Sequence, residues 1–173
     1  MIDISQWIVE RRLNPQKLTT NYKNFIPVPA SLKDAYNIQK SVVKKLNLNI
    51  GGWKLGGTNK TSREIFSCSH LYCGPIDSKN IILSNTNKYF NWTLPTKPQG
   101  EAEISFRLSS NIQNLCKLNN KNDVFSYVDA LAPSLELPYS VIDKNQNKEL
   151  SLLISDLCGS GYLVLGDVIP IQR

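Results

Sequence analysis

The chain has 173 residues, of which 41% are hydrophobic and 20% charged. That is ordinary for a folded protein and too apolar for a disordered one, and the length suits one domain rather than two large ones. Lys plus Arg is 20 against 14 for Asp plus Glu, a net charge of +6. The surplus is scattered: the tightest groups, Arg11-Arg12 and Lys44-Lys45, have no aromatic stacking platform beside them, so we expect a solvated basic surface and no nucleic-acid partner. No apolar run approaches the ~18 residues of a membrane span. Residues 1–6 lack the basic and apolar regions of a signal peptide, so the expected location is the cytoplasm, with Cys68, Cys73, Cys116 and Cys158 reduced. Cys68, His70 and Cys73 offer three zinc-type ligands, but no second close pair completes a tetrahedral site.

In chain order, residues 3–13 are predicted as a short helix and 14–30, with three prolines, as an irregular connection. Ser31 and Asp34 form a capping-box-like start to a stronger helix, whose apolar positions from Leu32 to Leu46 recur at helical spacing. Gly51 to Thr58 reads as a strand bracketed by glycines, where a backbone or ligand approaches closely. It is not a phosphate loop, because Gly57 stands where that motif needs Lys. Residues 61–67 are predicted as a helical turn, Cys73 to Asp77 as a turn, and 81–95 as a hairpin around Asn85-Thr86-Asn87. Glu101 to Leu108 is the clearest strand, with Glu101, Glu103, Ser105 and Arg107 on one face and Ala102, Ile104, Phe106 and Leu108 on the other. Asp123 is predicted to cap a helix from Val124 to Leu131, followed by a strand from Ser134 to Tyr139. Residues 148–157 read as a helix, and Gly159-Ser160-Gly161 turns into a strand from Tyr162 to Leu165. Several short strands among helices imply an α+β fold.

Three carboxylates carry the chemical signal. Glu101 and Glu103 leave the same face of a strand, ~7 Å apart along it. Glu136 lies in the apolar stretch Ala130 to Pro138, where an uncompensated charge is expensive. It needs a cation, no Lys or Arg is near in sequence, and a divalent metal is one solution; carboxylate oxygens suit Mg²⁺ or Mn²⁺. Lys54, between Trp53 and Leu55 and hemmed by glycines, is either a strand lysine pointing to water or a pocket lysine suited to proton transfer.

Five segments occur in one order and register: Asp34 to Gln39, Gly52 to Lys60, Glu101 to Phe106, Ala132 to Glu136, and Asp156 to Gly161 with Val164-Leu165-Gly166. Together they resemble the 2-keto-4-pentenoate hydratase family of the fumarylacetoacetate-hydrolase-like superfamily, from about residue 5 to 166. The resemblance implies a mixed β-sheet and β-roll with flanking helices, an N-terminal helical segment over residues 1–50 packing on a hydratase-like core over 51–173, and an absence of the family's last strands. It implies that Glu101, Glu103 and Glu136 hold Mg²⁺ or Mn²⁺, that Lys54 and Asp77 are catalytic, and that Gly56, Thr58, Ser160 and Gly161 border the substrate. The substrate it implies is a 2-oxo- or 2-hydroxy-dienoate, hydrated by a homo-oligomer, with decarboxylation of a 2-oxo-dienedioate or a non-catalytic binding role as alternatives. His70 is followed three residues later by Cys73, not by the Glu of the His-x-x-Glu dyad in the superfamily's hydrolases, which disfavours C–C hydrolysis.

Overall fold

The structure is a computed structural model that describes residues 2–16, 26–85, 91–95, 97–109, 120, 124–143, 146 and 148–172. The turn at Asn85-Thr86-Asn87, apart from Asn85, and also Cys116 and Asp123, lie outside the described residues. Two helices open the chain. Helix α1 spans Ile4–Leu13, with Asp3 accepting from Gln6 N as its N-cap, and α2 spans Leu32–Lys45. At the start of α2, Ser31 Oγ accepts from Asp34 N at 3.1 Å, as in a capping box, and donates to the Asp34 carboxylate at 2.7 Å. The faces of these helices bury Ile8, Val9 and Val42 against Tyr139, Val141 and Leu157.

Strands β1 (Ile50–Gly56) and β2 (Tyr72–Asp77) pair antiparallel as a two-stranded sheet, joined through the short helix α3 (Lys60–Ile65). The predicted turn at Cys73 to Asp77 is therefore a strand. Gly74 suggested a turn, but its reason is packing: a Cβ there would collide with the Leu157 carbonyl. A second sheet contains β3 (Ile81–Leu83), β4 (Glu101–Leu108), β5 (Val128–Leu137), β6 (Tyr162–Leu165) and β7 (Ile169–Pro170), with α4 (Leu150–Ser155) between β5 and β6. Its order is β3-β6-β5-β4, with β7 also pairing to β5. Strand β3 runs parallel to β6, and of the predicted hairpin's remaining positions the described ones, 84–85 and 91–95, are not strand.

The predicted helix from Val124 to Leu131 is overturned: helical turns are confined to 124–127, and Val128–Leu137 is one ten-residue strand. Pairing on both flanks of β5, to β4 along its length and to β6 and β7 on the other side, outweighs local propensity. Pro133 sits where the second flank passes from β6 to β7, the kind of break at which a strand tolerates a residue without an N–H.

A polar bolt ties α1 to the second sheet. Arg12 Nε lies 2.6 Å from Asp156 Oδ1, and its terminal nitrogens donate to the carbonyls of Ser160, Tyr139 and Asp156. Asp156 is fully buried and also accepts from Ser140 Oγ and Val141 N. This bolt holds the turn that follows, in which Leu157 and Cys158 adopt φ of 56° and 55°, a left-handed backbone costly for residues with a Cβ. Among the described residues, no helix is long and apolar enough to cross a membrane.

Two outcomes follow. Arg12→Met leaves a buried carboxylate uncompensated and is expected to cost about 3 kcal/mol in a denaturant melt, whereas Arg107→Met, which removes an exposed pair with Asp129, should cost under about 1 kcal/mol. Burial pushes the Cys158 thiol from 9.0 up to about 12. Its contribution to stability is therefore present below pH 9 and is lost as pH rises toward the folded value, because the unfolded chain ionises first. At pH 8 the native protein should take iodoacetamide at the half-buried Cys68 and Cys73 and not at Cys158, read by peptide mass spectrometry; equal labelling of all three would contradict this burial.

Candidate metal centre

The site forms where a side chain of the first sheet reaches residues of the second. Glu101 and Glu103 stand on β4, an edge of the second sheet among the described residues, and Glu136 stands on β5. The ladder sets Glu101 directly opposite Glu136 and Glu103 opposite Ser134. Like charges directly across a ladder repel, so this arrangement calls for a cation. One oxygen from each of Glu101, Glu103 and Glu136 can be chosen so that all lie within 4.8 Å of one another. Glu101 and Glu103 are exposed and Glu136 is buried.

A cation of the chain itself answers Glu136. Lys54 Nζ, reaching across from β1, lies 2.7 Å from Glu136 Oε1; their side chains are 13% and 7% exposed. The contact is a buried ion pair. Burial pushes the Glu136 carboxyl above its usual range; Lys54 pulls it back, and Glu101 and Glu103 add to the upward push. Alternation along β1 places Lys54 inward while its neighbours Trp53 and Leu55 are 56% and 57% exposed. The strand lysine thus points inward to Glu136 and not to water. Its strand is fixed by pairing of Lys54 with Gly74, the residue wedged under Leu157.

The other expected residues sit at varying remove. Gly56 pairs with Tyr72, and a Cβ there would strike the Tyr72 ring. Gly57 has φ 73° and is buried, while Thr58 is exposed. Asp77 is buried and turns its carboxylate onto its own 3₁₀ turn, accepting from Lys79 N at 3.3 Å and facing Lys79 Nζ at 3.2 Å. Ser160 spends its hydroxyl inside the turn, donating to Leu157 O at 2.8 Å, and the Gly161 carbonyl accepts from Asn80 Nδ2. The triad and Lys54 are brought together; the contacts of Asp77, Ser160 and Gly161 are to residues outside that group.

Sequence reasoning did not find Tyr72 or the framework behind Lys54. Tyr72 is a buried phenol on β2, pushed up to about 12 first by burial, with the charges of Cys158, Cys68 and Glu101 adding to it. Gln39, on α2, donates to the carbonyls of Cys73 and Ile154 at 3.1 and 2.8 Å and so ties β2 to α4. A polar residue on the buried stripe of a predicted helix was the one available signal for Gln39.

No family model matches the sequence, and no curated protein matches it. Among solved structures, the chain is similar to 4-oxalocrotonate decarboxylase from Pseudomonas putida G7 complexed with magnesium and adipate, with a TM-score of 0.68 and 17% identity over 96% of this chain and 62% of that one. It is similar also to the same enzyme complexed with calcium and acetate, with a TM-score of 0.62 and 14% identity over 95% of this chain and 64% of that one. The chain spans less than two thirds of the length of these structures. At such identities the likeness is one of architecture: the chain shares the mixed α+β fold of these structures over the part it covers.

Proposed function

We propose that the chain acts as a divalent-metal-dependent hydratase of 2-hydroxypenta-2,4-dienoate-type compounds, giving 4-hydroxy-2-oxo acids. The observation that carries this reading is the convergence of Glu101, Glu103 and Glu136 within 4.8 Å, with Lys54 at 2.7 Å from the buried member. The donor set is all carboxylate oxygen, which suits Mg²⁺ or Mn²⁺ over softer ions. Lys54 offsets one carboxylate, and among the described residues Glu101 and Glu103 form no ion pair, so the triad keeps negative charge that a divalent cation would offset. The magnesium and calcium of the decarboxylase complexes agree with a hard divalent ion.

In this reading Glu101, Glu103 and Glu136 hold the ion, which supplies Lewis-acid polarisation of the 2-oxygen of the substrate. Lys54 carries the proton that C5 of the dienol receives, leaving an α,β-unsaturated ketone to which water adds at C4. Asp77 is the second acid/base group, Gly56, Gly161, Thr58 and Ser160 border the substrate, and the working form is a homo-oligomer. A second reading, decarboxylation of a 2-oxo-dienedioate, is favoured by the named activity of the similar structures. Both reactions develop negative charge on the 2-oxygen, so one metal-and-lysine arrangement serves either.

Two measurements test this. Saturating Mn²⁺ should raise the melting temperature of the protein, and Glu103→Ala should abolish that rise; an undiminished rise would remove Glu103 from the ligand set. With Mg²⁺ present, 2-hydroxypenta-2,4-dienoate should lose its dienol absorbance, and chelation of the metal should stop the loss. Turnover confined to a 2-oxo-dienedioate, with release of carbon dioxide, would assign the decarboxylase instead. Folded protein that turns over neither substrate would exclude both.

A further inference from the structure

We propose that Lys54 is the resident counter-cation of the metal centre: its ammonium compensates Glu136 in the metal-free protein and competes with a divalent cation for that carboxylate, so that Lys54 lowers the metal affinity of the site. The proposal deepens the reading of Glu101, Glu103 and Glu136 as metal ligands and rests on it.

Four observations point to this role. Glu136 is buried in the chain as it stands, and among the described residues its cationic contact is Lys54 at 2.7 Å. An oxygen of that same carboxylate lies within 4.8 Å of oxygens of Glu101 and Glu103, so a divalent cation gathered by the triad shares Glu136 with the ammonium. Neither Glu101 nor Glu103 has a cationic partner among the described residues, so two of the three carboxylates await compensation while the third already has it. Finally, Lys54 and the triad belong to different sheets, and the backbone of Lys54 is held by its pairing with Gly74, which packs closely against the Leu157 carbonyl. The ammonium is thus delivered from a fixed strand to one member of the triad, and a divalent ion entering the triad meets a positive charge already in place.

Such an arrangement has a thermodynamic signature. Removing the lysine charge destabilises the metal-free protein, because Glu136 is left alone, and strengthens metal binding, because the ion meets no competitor. A lysine that served only to transfer protons, or only to pack, would leave metal affinity unchanged.

The test is calorimetric titration of the full chain with Mn²⁺. Lys54→Met is expected to bind Mn²⁺ about tenfold more tightly than the unsubstituted protein, in line with couplings between close charge pairs, while Lys54→Arg, which keeps the charge, should bind within about twofold of it. The metal-free Lys54→Met protein should melt below the unsubstituted one, with the gap narrowing at saturating Mn²⁺. Should Lys54→Met fail to fold, Lys54→Gln gives the same reading with a neutral polar side chain. Equal or weaker binding by the neutral variants overturns the counter-cation role and leaves the metal site standing. An unsubstituted protein that takes up no Mn²⁺, or a Glu136→Gln variant that binds it equally well, overturns the reading of Glu136 as a ligand and this inference together.

Discussion

A carboxylate buried opposite another carboxylate is the constraint on which the rest of this structure turns. Strand pairing places Glu136 across from Glu101 and one step from Glu103, on a sheet face that gives Glu136 almost no water. Such a group is stable only with positive charge close by. The chain supplies one charge from Lys54, and the triad retains room, in charge and in oxygen donors, for a further cation. Much of the surrounding fold serves to bring the two sheets into that relation. Arg12 bolts α1 onto the turn at Asp156 to Gly161, the turn presses Leu157 against Gly74, and Gly74 aligns the strand that presents Lys54.

The same interactions explain why conformationally costly features persist. Leu157 and Cys158 hold left-handed backbone angles that an isolated turn would shed. They are retained because Asp156, immediately before them, is fixed by Arg12, Ser140 Oγ and the backbone of Val141. Gly74 is required for a related reason: no side chain fits between β2 and that turn. The second sheet shows a different balance. Strand β4 carries two of the acidic residues yet is exposed along both faces, with Ile104 64% and Phe106 58% exposed, so the triad is positioned by ladder pairing to β5 rather than by burial of β4.

Local features of the fold were legible in the sequence and long-range ones were not. The start of α2 could be read from Ser31 and Asp34, because a capping box is satisfied within four residues. Strand β4 could be read from strict alternation. Strand β5 could not, since the apolar run from Val124 to Leu131 fits a helix equally well until its partners on β4, β6 and β7 are known. The triad was recognised through motif resemblance and through the implausibility of an uncompensated Glu136. What sequence could not show was that Lys54, noted for its own reasons, is the compensating cation: the two stand on strands of separate sheets and meet only in the tertiary fold.

The central claim is that Glu101, Glu103 and Glu136 form a divalent-cation site shared with Lys54. Anomalous diffraction from crystals grown with Mn²⁺ addresses it most directly. The account predicts an anomalous peak within coordination distance of oxygens from all three glutamates. A fully ordered triad with no such peak, while Mn²⁺ is bound elsewhere on the chain, would contradict it.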